Sequence, residues 1–316
     1  MQCKVCDSEK NNREYDVPEM MFGMDEVFKY FECDNCKCLQ IKNVPSDMRK
    51  YYPENYYSKS SQSSFSFKLK CEWMKHSLGQ KNLKGALSSL IFGKHPLKQW
   101  SKNTDIDYQS KILDVGCGTG HLLSMMAKSG FENLTGVDPF IDEDIINQEL
   151  TIYKKEISDL EGSFDLIMLH HSFEHMVNLD EVLSKLNTLL AAGGTILIRI
   201  PLGDCAAWHE YGINWFQIDA PRHFYLLSPK SLNILASKTG LHIRKTQFDS
   251  QTSQFWGSIQ YQNGINHSSE NSFAKSPRKS MFSIWDILKF KKRAKLLNEK
   301  GTGDQACFYL KKESEV

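Results

Sequence analysis

The stretch that decides the fold is Ile112-Leu113-Asp114-Val115-Gly116-Cys117-Gly118-Thr119-Gly120. A short apolar strand runs into three glycines at alternate positions, and helical spacing begins at His121. Glycine allows positive φ and a close approach of backbone to ligand, while a helix start offers N–H groups with no partner inside the helix. A dinucleotide fingerprint would need its third glycine at position 121, where this chain has histidine, so the spacing argues against a dehydrogenase.

Outward from this turn the texture alternates between apolar strands and amphipathic helices. Strands are expected near 111–115, 134–137, 150–153, 164–169, 195–200, 241–248 and 306–310, and helices over 121–128, 179–190 and 231–238. Ser228 caps the last helix, Pro229 opens it and Gly240 stops it. Such alternation builds a parallel sheet with crossover helices. Asp138 ends the second strand, where a carboxylate can accept both hydroxyls of a ribose. Glu156 follows the third strand, and with Ile157 it can frame an adenine ring, although Asp159 and Glu161 stand close enough to compete.

The head of the chain has a different chemistry. Cys3-x2-Cys6 and Cys33-x2-Cys36 each present two sulfurs, and two such turns close a tetrahedral structural zinc site with bonds of about 2.3 Å. Cys38 follows too closely to be a fifth ligand. With no export signal at the start, nine cysteines read as metal chemistry, not as a disulfide framework. A head this small buries little core, so the metal supplies much of its folding free energy. Between head and sheet come a tyrosine cluster (Tyr51, Tyr52, Tyr56, Tyr57), a serine-rich run, and a lysine-rich stretch with helical spacing of Phe65, Leu69 and Trp73. The domains expected are a zinc-binding head at 1–43, a connector and covering helices at 44–110, and a sheet domain at 111–316. The last contains a polar insertion at 263–300 that ends in a basic amphipathic helix.

With 41% apolar and 24% charged residues the chain has the balance of a globular protein. Thirty-nine basic residues against 38 acidic ones leave a net charge of +1, too little for the global field of a dedicated nucleic-acid binder. No apolar run reaches the roughly 18 residues that cross a bilayer, and the expected location is cytoplasmic.

These residues together resemble the class I S-adenosylmethionine-dependent methyltransferases: the run at 112–120, Asp138, the Phe164-Asp165-Leu166-Ile167 strand, and Leu190-Ala191-Ala192-Gly193-Gly194-Thr195-Ile196 before the fifth strand. The resemblance covers about 111–248, with Gly303-Asp304 and the last strand as a closing hairpin. It implies an α/β, Rossmann-like sheet of seven strands in the order 3-2-1-4-5-7-6, strand 7 antiparallel, beside a small zinc-ribbon-like domain. It also implies S-adenosylmethionine held by Asp114, Gly116, Gly118, Gly120, Asp138, Glu156 and His170. A closer likeness is to a subgroup found among bacterial polysaccharide and secondary-metabolite genes. There a C-x-x-C pair, a YYPENYY-like connector and an Asp-Ala-Pro-Arg-His segment, here Asp219 to His223, recur. It points to a small-molecule or sugar-linked acceptor.

His170-His171-Ser172-Phe173-Glu174-His175 follows the fourth strand, on the edge where parallel sheets bind ligands. The H-x-x-E-H spelling suits a metalloprotease only on a helix, and this segment starts at a strand end. In ubiquinone-type methyltransferases an acid stands at the position of His171, so the resemblance does not carry a hard-metal site over. Methyl transfer to a hydroxyl needs placement and a base, and His171 and His223 are the candidates. Arg222 can hold an anionic acceptor group by paired hydrogen bonds; alternatively it is a solvated surface arginine or forms a salt bridge to Asp219. Glu174 and His175 read first as caps of the next helix. The basic stretches at 68–98 and 289–300 are solvated helix faces, or attract a diphosphate-linked sugar or an anionic membrane surface. The reading is an S-adenosylmethionine-dependent O- or C-methyltransferase without stable nucleic-acid binding and with at most peripheral membrane contact. Its rivals are an RNA methyltransferase that grips nucleic acid with the zinc head, and a non-catalytic cofactor-binding partner protein. The oligomeric state is not legible.

Overall fold

The computed structural model describes residues 1–52 and 65–313. Of the expected connector, residues 53–64, with Tyr56, Tyr57 and most of the serine-rich run, therefore fall outside the described residues. Three strands form the head: β1 (Arg13–Pro18), β2 (Val27–Glu32) and β3 (Leu39–Ile41). Three helices follow, α1 (Phe65–Ser77), α2 (Leu83–Phe92) and α3 (Pro96–Thr104). In α1 the expected face is corrected. Phe65 is 77% exposed, while Phe67, Cys71 and Met74 are buried. Two apolar stripes share this helix, and the one with i, i+4, i+7 spacing meets Leu97, Trp100, Leu123 and Met126 in a common core.

The sheet domain then runs β4 (Lys111–Val115), α4 (His121–Lys128), β5 (Asn133–Val137), β6 (Ile145–Ile146), β7 (Thr151–Tyr153), β8 (Phe164–His170), α5 (Leu179–Leu189), β9 (Leu190–Pro201) and α6 (Ala206–Tyr211). It continues with β10 (Tyr225–Leu226), α7 (Pro229–Lys238), β11 (Leu241–Phe248), α8 (Ser253–Gln262), α9 (Ile284–Lys300) and β12 (Gln305–Lys312). The large sheet has the order β11-β12-β9-β8-β4-β5-β7-β6. β4 lies parallel to both β5 and β8, whereas β12 is antiparallel to both β9 and β11. It has eight strands, not seven, because the two-residue β6 pairs onto the edge of β7 and is too short to leave a periodic signal.

Both faces of the sheet are covered, as a parallel sheet requires. Ile167 and Leu169 of β8 pack into one core with Leu113, Ile196 and Ile198, while Leu166 and Met168 enter the other with Ile112, Leu134 and Ile152. The chain leaves β4 on one side to β5 and returns on the other to β8. This strand-order reversal opens a crevice beyond the carboxyl end of β4. Among the described residues no helix is long and apolar enough to cross a membrane.

The head is stitched to this domain. Its sheet has the order β1-β2-β3-β10, so the fourth strand comes from the far side of the chain. Leu39 pairs with Leu226 and Gln40 with Tyr225, and the Ile41 N–H donates to the Phe224 carbonyl at 2.9 Å. Ser228 adds a second link. Its hydroxyl accepts from the Ser231 N–H, closing a capping box on α7, and donates to the Cys36 carbonyl at 2.6 Å. Ser228→Ala removes a helix cap and strands a buried carbonyl of the head. A loss of roughly 1–2 kcal/mol is expected in urea unfolding; an unchanged midpoint would mean that this link carries no stability.

Candidate active site

The glycine turn sits in the crevice. Gly116, Gly118 and Gly120 all have positive φ, and Gly120 begins α4. At Gly116 a Cβ would fall 2.4 Å from the Cβ of Ser172, whose hydroxyl donates to the Val115 carbonyl at 2.7 Å, so the turn closes only with glycine there. A Cβ on Gly118 would meet nothing within 4 Å, which leaves a backbone cradle open to a ligand. Asp138, buried at the end of β5, accepts the Gly118 N–H at 2.8 Å on one oxygen and the Phe140 N–H at 2.9 Å on the other. A carboxylate keeps lone pairs beyond these two bonds. Asp114 is buried in β4, and burial, with the Asp138 charge adding, pushes its carboxyl up to about 7. Glu156 stands exposed at the start of a 3-10 turn, Ile157–Asp159, and Ile157 is buried behind it.

His170 closes β8. Its ring lies 4.3 Å from that of Trp100 in α3, and neither ring nitrogen has a hydrogen-bond partner among the described residues although both are buried. Burial, then the charge of Arg199, holds it neutral down to about 3. His171 takes a left-handed backbone, φ 52°, fixed by its N–H on the Arg199 carbonyl at 2.9 Å. A guanidinium only donates, so the Arg199 contact at 2.9 Å occupies the lone pair on His171 Nε2. The proton then sits on Nδ1, 3.4 Å from Glu174 Oε1.

The expectation that Glu174 and His175 cap the next helix is corrected. Both lie in a 3-10 turn, Phe173–His175, and Asn178 occupies the cap position of α5. That turn drives the Glu174 side chain inward to complete burial, where neither oxygen meets hydrogen-bond geometry with a described residue. Burial alone would raise its pKa, but His171, His175 and His223 outweigh it and hold the carboxylate charged down to about 2. His175 donates from Nδ1 to the Arg222 carbonyl at 2.8 Å, and its ring meets that of His223 edge-on at 4.8 Å. His223 donates from Nδ1 to the Gln217 carbonyl at 2.7 Å. Its lone pair is therefore on Nε2, 3.9 Å from Glu174 Oε1 and 3.8 Å from Asp219 Oδ2. Donor atoms of Glu174, His175 and His223 lie within 4.8 Å of one another, close enough to surround one cation.

Arg222 is also corrected. It is fully buried and already paired: Nε and one terminal nitrogen reach Asp219 Oδ1 at 3.0 and 2.7 Å, and that same nitrogen reaches Glu19 Oε1 at 2.7 Å. The other terminal nitrogen donates to the Tyr51 carbonyl at 3.2 Å. An acceptor anion cannot reach it. Instead it ties the segment that carries His223 to the head, and Tyr30 of β2 adds a hydroxyl donated to the His223 carbonyl at 2.8 Å. Asp219 stays below the ordinary carboxylate range because Arg222, and next His223, overcome its burial. Glu19 and Tyr30 left no signal in the sequence, since their partners lie some 200 residues away. Glu174 could have been found from its place among three histidines.

Behind this segment the four sulfurs of Cys3, Cys6, Cys33 and Cys36 gather within 4.8 Å of one another, with Cys3 to Cys36 at 3.6 Å and Cys6 to Cys33 at 3.5 Å. A tetrahedron with bonds of about 2.3 Å has edges of about 3.8 Å, so the donor set fits one zinc. Gln40 and the Val5 N–H both donate to Cys3 Sγ, at 3.1 and 3.4 Å, as thiolate ligands require. Cys38 lies outside the group and donates to the Leu39 carbonyl.

Acid sensitivity follows from the buried imidazoles. His95 and His175 are depressed to about 4 and His170 to about 3, in each case chiefly by burial. Unfolding releases rings that protonate near 6.5, so the unfolded chain binds more protons and stability falls as pH drops from about 6.5 toward 4. The melting temperature should decline over that window, and His175→Gln should flatten the slope; an unaltered slope would remove His175 from this account.

The geometry can be set beside known proteins. Residues 90–246 match a family model described as a methyltransferase domain. A ubiquinone biosynthesis O-methyltransferase of Colwellia psychrerythraea is 30% identical over 102 residues, 28% of this chain and 41% of that protein. An EEF1A lysine methyltransferase 2 of Danio rerio is 37% identical over 57 residues, 17% of this chain and 24% of that protein. A SAM-dependent methyltransferase from Archaeoglobus fulgidus has a solved structure with 20% identity and a TM-score of 0.42, covering 72% of this chain and 98% of that one. The chain spans less than half the length of the curated relatives it matches. Residues 90–246, just under half of the chain, therefore match a methyltransferase domain.

Proposed function

We propose that this chain transfers the methyl group of S-adenosylmethionine to a hydroxyl or carbon of a small or carbohydrate-linked acceptor, with His223 removing the proton. The observation that carries this is the tautomer of His223. Its Nδ1–H is spent on the Gln217 carbonyl, and its Nε2 lone pair looks toward a buried carboxylate.

The donor side fits the cofactor. The open space at Gly118 leaves room for a ligand, and the two His170 nitrogens, without a hydrogen-bond partner among the described residues, are polar positions that a bound ligand would satisfy. Asp114, Gly116, Gly118 and Gly120 would line the amino-acid half, Asp138 would take the ribose hydroxyls, Glu156 with Ile157 would frame the base, and His170 would close the pocket. When bound, the cofactor supplies an electrophilic methyl group on a positively charged sulfur. The protein's part is placement and, for a hydroxyl acceptor, proton removal. The proton passes from the acceptor oxygen to His223 Nε2, and the imidazolium formed is stabilised by Glu174, 3.9 Å away. His171 steadies Glu174 from the other side but is a poor base itself, because Arg199 holds its lone pair. Arg222 acts as a positioning residue.

The acceptor class is supported by the Asp219-to-His223 segment and the cysteine pairs, the features shared with the polysaccharide and secondary-metabolite subgroup. The curated relatives do not choose it, since one is named for ubiquinone biosynthesis and another for a protein lysine. We assign residues 1–43 as a head built on a structural zinc bound by Cys3, Cys6, Cys33 and Cys36, 44–110 as the cover, and 111–316 as the catalytic domain. Loss of that metal reaches catalysis, because Tyr30 holds the His223 carbonyl and β3 pairs with the two-residue strand that follows it.

The test offers methyl-labelled donor with a panel of nucleotide sugars and hydroxylated metabolites and looks for a product one methyl heavier. Asp138→Ala should weaken donor binding at least tenfold by calorimetry. His223→Gln should slow turnover by about 10²–10⁴ with donor affinity nearly unchanged; equal losses in both would make His223 structural and end this mechanism. Elemental analysis should find about one zinc per chain. Cys33→Ser with Cys36→Ser should remove it and depress turnover; full metal retention would overturn the assignment.

A further inference from the structure

Helix α2 is built inside out. Gly85 and Ser88 face the protein, and Gly85 is so tight against α1 that a Cβ would fall 2.1 Å from the Glu72 carbonyl oxygen. The aliphatic residues point the other way: Leu83 is 91% exposed, Leu87 61%, Leu90 84% and Ile91 64%. Their spacing, i, i+4, i+7, i+8, places all four on one face of the helix. A contiguous apolar stripe of this kind on a folded surface marks a contact with something. Around it the charge is of one sign. Residues 65–104 hold eight lysines and a single acidic residue, Glu72, which is already paired with Lys75. Lys68, Lys70, Lys81, Lys84 and Lys94 are exposed.

We propose that α2 is a bilayer-docking element that seats its Leu83, Leu87, Leu90 and Ile91 face in an anionic phospholipid leaflet while the surrounding lysines meet the headgroups. The two features are those of an interfacial helix, and each alone would bind a surface weakly. The charge also decides between occupants. A second copy of the chain would bring a like-charged lysine field against this one. Residues 53–64, the segment immediately before α1, are mostly serine and charged or polar residues and offer no aliphatic side chain to cover the stripe. A lipid surface supplies both the apolar phase and the opposite charge.

The position has a consequence for the site. α2 packs on α1, α1 sets Phe67 against His121 at the start of α4, and α3 lays Trp100 on His170. The docking face is therefore the outer surface of the layer that roofs the donor crevice. On the methyl-transfer reading above, the acceptor is then presented at a membrane; the docking itself does not depend on that reading.

The experiment is co-sedimentation of the full chain with vesicles of phosphatidylcholine alone and of phosphatidylcholine with about a third phosphatidylglycerol. The chain should pellet with the anionic vesicles, at least tenfold more tightly than with the neutral ones, and release as salt rises. Leu87→Glu with Leu90→Glu should abolish pelleting while leaving the melting temperature and donor affinity unchanged, because both side chains are exposed. Lys81→Glu with Lys84→Glu should weaken it and lower its salt dependence. Absence of pelleting, equal binding to neutral vesicles, or binding retained by the leucine variant each overturns the proposal. So does a wild-type dimer that the leucine variant splits without any lipid effect, since the face would then be covered by a second copy. Failure of methyl transfer with intact vesicle binding would refute the proposed function alone.

Discussion

A guanidinium placed where water cannot reach must be surrounded by acceptors, and Arg222 meets that demand only by recruiting from three separate parts of the chain. Asp219 comes from its own turn, the Tyr51 carbonyl from the segment that follows the head, and Glu19 from the loop between β1 and β2. Glu19 is in turn held by the N–H groups of Met21, Phe22 and Met24, so its position is set by backbone and not by a flexible arm. Separating a carboxylate partner from a buried charge costs roughly 3–5 kcal/mol in proteins where this has been done. That penalty is why the head and the Asp219-to-His223 segment form a single unit even though the sequence reads as two.

His223 inherits its geometry from this arrangement. The residue follows Arg222 directly, its carbonyl is held by Tyr30, and the next two residues enter the pairing with β3. Its side chain is oriented separately, by Gln217. An imidazole so constrained keeps one tautomer and one direction, and the nearby carboxylate of Glu174 is kept ionised by the histidines around it. Arg199 performs the same service for His171 and occupies its Nε2 in doing so. Two histidines that look equivalent in sequence thus acquire different chemistry from their hydrogen-bond partners alone.

What could be read in advance tracks how local the deciding physics is. The helix at His121–Lys128 and the strand at Leu241–Phe248 have the bounds that the sequence suggests, because periodicity, glycine punctuation and caps agree over a few neighbouring residues. The cysteine cluster was legible for the same reason, each C-x-x-C being a local turn. For Arg222 the salt bridge to Asp219, one of the alternatives legible in the sequence, is the one observed, whereas its second partner, Glu19, is 203 positions distant and no property of either residue announces the other. The turn holding Glu174 was misread as a cap because its burial depends on the Phe224 N–H, which binds the Glu174 carbonyl at 2.8 Å from the far side of the fold. In α1 the error was one of phase: both stripes are helical, and only the packing partner selects between them.

The same distinction explains why the cysteine cluster and the crevice need not be adjacent to be coupled. The cysteines fold the two knuckles, the second knuckle delivers β3, and β3 pairs with β10 immediately after His223. Ser228, two residues beyond β10, returns to the Cys36 carbonyl, so the segment from Asp219 to Ser228 is clamped to the head at both ends. A segment with that many fixed points has little freedom to move when a ligand enters. The adjustable elements must then lie on the other wall of the crevice, where Trp100 and Phe67 contact the donor side through ring packing alone and where the lysine-rich helices meet solvent. A clamped wall around His223 opposite a less constrained roof is the division that the buried charges of this sequence build into the fold.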